Sequence, residues 1–214
     1  MSPAAQRLGV FGGAFDPPHL AHVALARCAI TQAQLDHLLL LPSGQPWHRA
    51  GPPSPAEHRL AMARLAFAGL EHAQVDDREI RRGGATFTVD TLAALRQEQP
   101  GAELALIIGA DQADAFESWR RWPEILRFAT LFVAERAGTI SRERPISALK
   151  RLRHVVVAHG IDVQRVQAIV LPPMALSATD IRERAAQGLG IDHLVPPAVA
   201  GYIAQHRLYS LSSQ

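Results

Sequence analysis

A doubly wound α/β fold, with a mostly parallel sheet and helices on both faces, is what this sequence predicts, and three observations predict it. Short apolar runs alternate with longer helical patterns along the chain. The runs are continuous rather than alternating, the pattern of strands buried on both faces. Residues with ligand chemistry directly follow the runs, and in such sheets ligands bind outside the carboxyl ends of the strands.

The elements follow in order. The first run, Leu8-Gly9-Val10-Phe11, ends in Gly12-Gly13 and leads to a helical pattern over residues 21–31. The second, Leu38-Leu39-Leu40-Leu41, ends at Pro42. Residues 43–55 hold four prolines and two glycines, a loop by composition, before a helical pattern over 56–70. A further helix is expected over 88–98, then a strand at Leu104-Ala105-Leu106-Ile107-Ile108 ending at Gly109. Strands are expected again at Leu131-Phe132-Val133-Ala134 and at His154-Val155-Val156-Val157, with a polar loop over 136–145 between them. Ala168-Ile169-Val170-Leu171 closes the strand series at Pro172-Pro173, and helices are expected over 181–187 and 197–206. Four of the runs are followed by candidate ligand residues: Gly12-Gly13, the segment 43–49, Gly109-Ala110-Asp111 and Ser177-Ala178-Thr179.

A length of 214 residues suits one substantial α/β domain, here read as a single domain over 1–214 with its helical C-terminal part, about 177–210, on the same core. Hydrophobic residues make up 48% and charged residues 20%, a composition that argues against disorder outside the termini. The net charge is only +2 and Lys150 is the single lysine, so the sequence offers no nucleic-acid surface. The one cysteine, Cys28, excludes an internal disulfide and a Cys-rich zinc site, and reads as a small buried hydrophobe. No run reaches the length of a membrane span, and residues 1–7 lack the layout of a signal peptide. The expectation is a cytoplasmic protein without a membrane partner; a homo-oligomer is compatible with the sequence.

The opening segment, residues 12–22, carries the first chemistry. Two glycines after a strand let a ligand approach the backbone, because no Cβ intervenes. Pro17-Pro18 marks a turn into the next helix, and His19 and His22, three apart, fall on one side of its first turn. Two imidazole donors beside unpaired helix N–H groups suit a polyphosphate and can stabilise charge that develops on it. The spacing would also suit a metal pair, but no third ligand is evident, and no residue is assigned as a metal ligand. The segment is neither a dinucleotide-binding G-x-G-x-x-G nor a P-loop. A second element, Leu176-Ser177-Ala178-Thr179-Asp180-Ile181-Arg182, reads as a helix start that Ser177 or Thr179 can cap. Thr179 and Arg182 are three apart and could reach one phosphate together.

The pattern G-G-x-F-D-P-x-H-x-x-H with a late L-S-x-T-x-x-R resembles the nucleotidyltransferase superfamily with the H-x-G-H signature. Within it, the chain is similar to the bacterial nicotinate-nucleotide adenylyltransferases. The narrower resemblance rests on residues 42–49 (PSGQPWHR), Thr86-Phe87-Thr88-Val89-Asp90-Thr91-Leu92, Ile107-Ile108-Gly109-Ala110-Asp111, Trp119 and Arg136, in order, and spans about residues 10–209. It implies a Rossmann-like fold and transfer of AMP from ATP, carried with Mg²⁺ on its phosphates, to nicotinate mononucleotide. His19, His22 and Arg182 would be catalytic. Gly12, Gly13, Phe15, Asp16, Leu176, Ser177 and Thr179 would bind ATP. Ser43, His48, Arg49, Thr88, Gly109, Asp111, Trp119 and Arg136 would bind the acceptor. The departures are Ala21 for the usual glycine, Phe87 for tyrosine, Ser43 for asparagine and Trp47 for proline. The competing readings are the same transfer to nicotinamide mononucleotide or phosphopantetheine, a cytidylyl transfer, and a non-catalytic nucleotide-binding module.

Overall fold

The computed structural model describes residues 5–45, 53–136 and 147–210. In chain order its elements are β1 (Arg7–Gly13), α1 (Leu20–Gln32), β2 (His37–Pro42), α2 (Ala56–Phe67), β3 (Ala73–Val75), α3 (Arg78–Arg82), α4 (Thr88–Glu98), β4 (Glu103–Ile108), α5 (Ala110–Asp114), α6 (Trp122–Phe128), β5 (Ala129–Arg136), α7 (Ala148–Ala158), β6 (Val166–Leu171), α8 (Ala178–Ala186) and α9 (Pro197–Gln205). One six-stranded sheet has the order β3-β2-β1-β4-β5-β6. β1 with β4, β4 with β5 and β5 with β6 are all parallel pairs. The expected α/β class with a parallel sheet is what the chain adopts. None of the described helices is long and apolar enough to cross a membrane.

The chain divides into two compact units. The first comprises Met1–Gly12, Leu25–Leu39 and Phe87–Pro173; the second comprises Gly13–Ala24, Leu40–Thr86 and Met174–Gln214.

In the first unit the apolar runs become the sheet core. Leu104, Ala105, Leu106, Ile107 and Ile108 of β4 and Leu131, Phe132, Val133 and Ala134 of β5 are all buried. Register sets Leu8 against Leu104 and Leu131 against Val166. Arg7 fastens the start of β1: its guanidinium meets Glu103 at 3.1 Å and the carbonyl of Ala33 at 2.9 Å. At the β6 edge, the Gln32 side chain donates to the Val170 carbonyl and accepts from the Val170 N–H, both at 2.9 Å.

One expected strand is a helix. His154-Val155-Val156-Val157 lies in α7, not in the sheet. Ser147 caps that helix by accepting from the Lys150 N–H, and Leu149, Leu152 and Val156 bury one helical face while Val157 stays 57% exposed. Three consecutive β-branched residues favour a strand locally, but the three- and four-residue spacing of the buried positions wins. The sixth strand is instead β3, three residues long and too short to register as an apolar run.

The second unit has its own core. Met62 of α2, Ile181 of α8, Ile191, Val195, and Val199, Ala200 and Ile203 of α9 form one buried cluster, with Tyr202, Leu208 and Tyr209 packed against it.

Candidate active site

The segment after β1 builds one site in the second unit. Phe15 adopts φ +48, in the left-handed region, and is 2% exposed. The peptide bond Asp16–Pro17 is cis. α1 then begins at Leu20, so the prolines precede it and His19 stands at the capping position, its carbonyl accepting from the N–H groups of His22 and Val23. In return the His19 N–H donates to Nδ1 of His22 at 3.1 Å. This is the logic of a capping box, with imidazole in the role usually held by Glu or Gln. It also sets a tautomer: a backbone N–H can only donate, so Nδ1 of His22 is the acceptor and its proton sits on Nε2.

The two rings stack, with centroids 3.7 Å apart and planes 21° from parallel. Phe15 meets the His22 ring edge-on at 5.3 Å and Phe67 at 5.6 Å, and so backs the pair from the core. His19 is 7% exposed, and burial lowers its pKa to about 4. Burial lowers His22 well below the usual imidazole value, and the neighbouring His19 lowers it further. Both are neutral near pH 7, with the proton of His22 on Nε2. Nδ1 of His19 makes no hydrogen bond, and neither does the buried Oγ of Ser43; within the described residues these are the two buried side-chain polar atoms without a partner.

The second element, residues 176–182, converges on the same segment. Ser177 caps α8, accepting from the Asp180 N–H at 3.3 Å. Arg182 donates to Oγ1 of Thr179 at 3.1 Å and to the carbonyl of Asp16 at 2.8 Å. Residues 166 positions apart in sequence are thus joined. Leu176 is half-buried just before the cap. Asp16 itself is 2% exposed; its carboxylate accepts from the Tyr209 hydroxyl at 2.7 Å and from the Ser54 N–H at 3.2 Å. Burial, then the charge of Asp16, pushes the Tyr209 phenol upward, so its proton stays in place to be donated. Ser43 donates its N–H to the carbonyl of Gly13 at 2.9 Å. Two residues that sequence reasoning missed belong to this network: Tyr209, and Arg59, which is buried beneath Ser43 and Gly44. Neither lies in a motif; their role arises only where distant backbone groups meet.

The remaining described candidates lie in the first unit. Gly12 is exposed at the end of β1. Gly109 precedes α5, and a Cβ there would stand 2.5 Å from Oδ1 of Asp111, so its hydrogen leaves room for that carboxylate. Asp111 is exposed and accepts from the side chain of Gln112. Thr88 is the first residue of α4, half-buried; the capping position belongs to Phe87, which makes no side-chain cap. Trp119 is half-buried with its ring centroid 5.4 Å from that of Phe116, which also meets Trp122 at 5.9 Å, so the aromatic cluster of the sequence exists. Arg136 ends β5, its backbone in register with Leu171. His48, Arg49 and Trp47 lie outside the described residues. Among the described residues, no group of three or more His, Cys, Asp or Glu side chains is arranged to hold a metal ion.

Comparison with known proteins identifies the family. Residues 10–184 match the family model described as cytidylyltransferase-like. A relative from Albidiferax ferrireducens, named a probable nicotinate-nucleotide adenylyltransferase, is 46% identical over 95% of this chain and 98% of its own. One from Chromobacterium violaceum with the same name is 41% identical over 95% of this chain and 98% of its own. The fold is similar to the solved Plasmodium falciparum nicotinic acid mononucleotide adenylyltransferase complexed with NaAD, with a TM-score of 0.73 at 16% identity, covering 95% of this chain and 97% of that one. A family match over residues 10–184 and identity at this level over nearly the whole length lead to one conclusion: the chain belongs to the nicotinate-nucleotide adenylyltransferases, within the cytidylyltransferase-like family.

Proposed function

We propose that this chain transfers the adenylyl group of ATP to the phosphate of nicotinate mononucleotide, giving nicotinate adenine dinucleotide and pyrophosphate in NAD biosynthesis. The observation that carries the reading is the stacked, neutral His19–His22 pair in the turn whose Asp16 carbonyl Arg182 holds. An oxygen of the acceptor phosphate attacks the α-phosphorus of ATP, a new P–O–P bond forms, and the bond from the α-phosphorus to the bridging oxygen of the β-phosphate breaks. The nucleophile is already anionic near pH 7, so no strong base is required; alignment and charge neutralisation suffice. The Nε2–H of His22 donates to the charge that builds on the phosphates, with His19 stacked against it in the same task. The Arg182 fork, held by Asp16 and Thr179, meets the departing pyrophosphate with the amides at the start of α8. ATP enters as its Mg²⁺ complex, the ion being part of the substrate and held by phosphate oxygens and water.

Thr88, Gly109, Asp111 and Trp119 serve the acceptor: Asp111 takes ribose hydroxyls, while Thr88 and Trp119 take the pyridine ring; Ser43, His48, Arg49 and Arg136 are further candidates for binding it. The reaction runs in the cytoplasm, which suits a chain whose one cysteine, Cys28, is half-buried within α1. The test offers Mg-ATP with nicotinate mononucleotide or nicotinamide mononucleotide in separate reactions and measures pyrophosphate. Release with the acid form and little with the amide is expected. Equal rates would remove the acid preference, and no turnover with either would defeat the reading.

A further inference from the structure

Arg59 lies in the first turn of α2, where sequence alone reads a solvated helical charge, yet it is 1% exposed. A guanidinium this deep is tolerated only when its donors are taken. Its Nε donates to the carbonyl of Ser54 at 2.9 Å. One terminal nitrogen donates to the carbonyls of Ala14, at 3.1 Å, and Ser43, at 2.7 Å; the other donates to the carbonyl of Gly44 at 2.9 Å. These four acceptors are backbone carbonyls, drawn from three separate segments of the chain. A rigid planar fork with several donors can hold such a set; the single ammonium of lysine cannot reproduce its geometry.

The three segments are those the reaction uses. Ala14 precedes Phe15, Asp16 and His19. Ser43-Gly44 and Ser54 stand at either side of the proline-rich segment that bears the acceptor candidates His48 and Arg49. Ser54 is held through both of its backbone groups, its carbonyl by Arg59 and its N–H by Asp16. Asp16 in turn gives its own carbonyl to Arg182. One connected path therefore runs from Arg182 through Asp16, Ser54 and Arg59 to Ser43 and Gly44.

We propose that Arg59 is a positioning residue for adenylyl transfer, one that sets the acceptor candidate Ser43, with Gly44 and Ser54, against the turn carrying the histidines while touching neither nucleotide. This rests on the adenylyl-transfer reading. The geometry is independently adjustable at Gly44, where a Cβ would stand 2.6 Å from the carbonyl oxygen of Glu79 and 3.1 Å from the Thr86 methyl, and so would push the Gly44 carbonyl off the fork.

The experiment compares wild type with Arg59→Lys, Arg59→Met and Gly44→Ala, each assayed well below its melting temperature by circular dichroism. ATP and nicotinate mononucleotide are varied separately and pyrophosphate is measured. A misplacement on the order of 1 Å costs up to about 10²-fold, so kcat/KM for the acceptor should fall by at least about tenfold in Arg59→Met and Gly44→Ala, with KM for ATP within about threefold of wild type. Arg59→Lys should recover part of the loss. Variants that melt earlier but keep wild-type kcat and both KM values would assign Arg59 to stability alone and overturn the proposal. If the Arg59 variants do not fold, Gly44→Ala decides: wild-type parameters there overturn it, and a selective acceptor defect upholds it. A wild-type chain that forms no dinucleotide defeats the adenylyl-transfer reading itself, which is a separate result.

Discussion

Acidification should unfold this protein through His19, and the size of the effect follows from its burial. In the folded chain its pKa is lowered to about 4 from an ordinary value of 6.5, because only the neutral ring is at home in the pocket. The unfolded chain therefore binds the proton at higher pH than the folded chain. Stability is fully present above the unfolded value of 6.5 and is lost as pH falls from there towards the folded value of about 4. Between about pH 7 and about pH 4.5 the loss comes to roughly 2.5 kcal/mol, at about 1.4 kcal/mol per pKa unit. His22 adds to it in the same direction. The assay is urea unfolding of wild type and His19→Gln at a series of pH values. Wild type should lose roughly 2.5 kcal/mol more than the variant over that interval. Parallel stability profiles would refute the reasoning, since they would mean that the imidazole titrates normally in the folded chain.

Three further substitutions have definite expected outcomes. His22→Ala should lower kcat by roughly 10²-fold or more by removing the Nε2–H donor, and near-normal turnover would reject that role. Tyr209→Phe should cost about 1–3 kcal/mol in urea unfolding, because the buried Asp16 carboxylate loses the phenol that donates to it at 2.7 Å; an unchanged midpoint would show that water replaces the bond without cost. Gly109→Ala should raise KM for the acceptor, because the new Cβ would displace Asp111 from 2.5 Å, and an unchanged KM would remove Asp111 from acceptor binding.

Much of this site can be read in the sequence because its parts obey local rules. A strand ending in glycines, two histidines on one side of a helix start and Ser177 as a cap are each set by residues within a few positions of one another. The stacking of His19 on His22 follows directly from their spacing and the helix start between them. What escapes is set by distance in sequence. Arg59 looks like an ordinary helical charge, since nothing near it announces that carbonyls from positions 14, 43 and 44 will meet there. Asp16 reads as a candidate for ATP, whereas its carboxylate faces Tyr209, 193 positions away. His154-Val155-Val156-Val157 shows the opposite failure, a strong local preference overruled by a helix cap and by the apolar face of α7.

The bond pair between Gln32 and Val170 has a consequence for how copies of this chain meet. β6 is a terminal strand, and an open strand edge is a template for any extended segment that can match its donors and acceptors. A single glutamine amide offers one donor and one acceptor at the spacing of a peptide group. Placed against Val170, Gln32 imitates one residue of a seventh strand and occupies the position that an incoming chain would need to begin pairing. The sheet thus carries its own stopper, supplied by the last residue of α1.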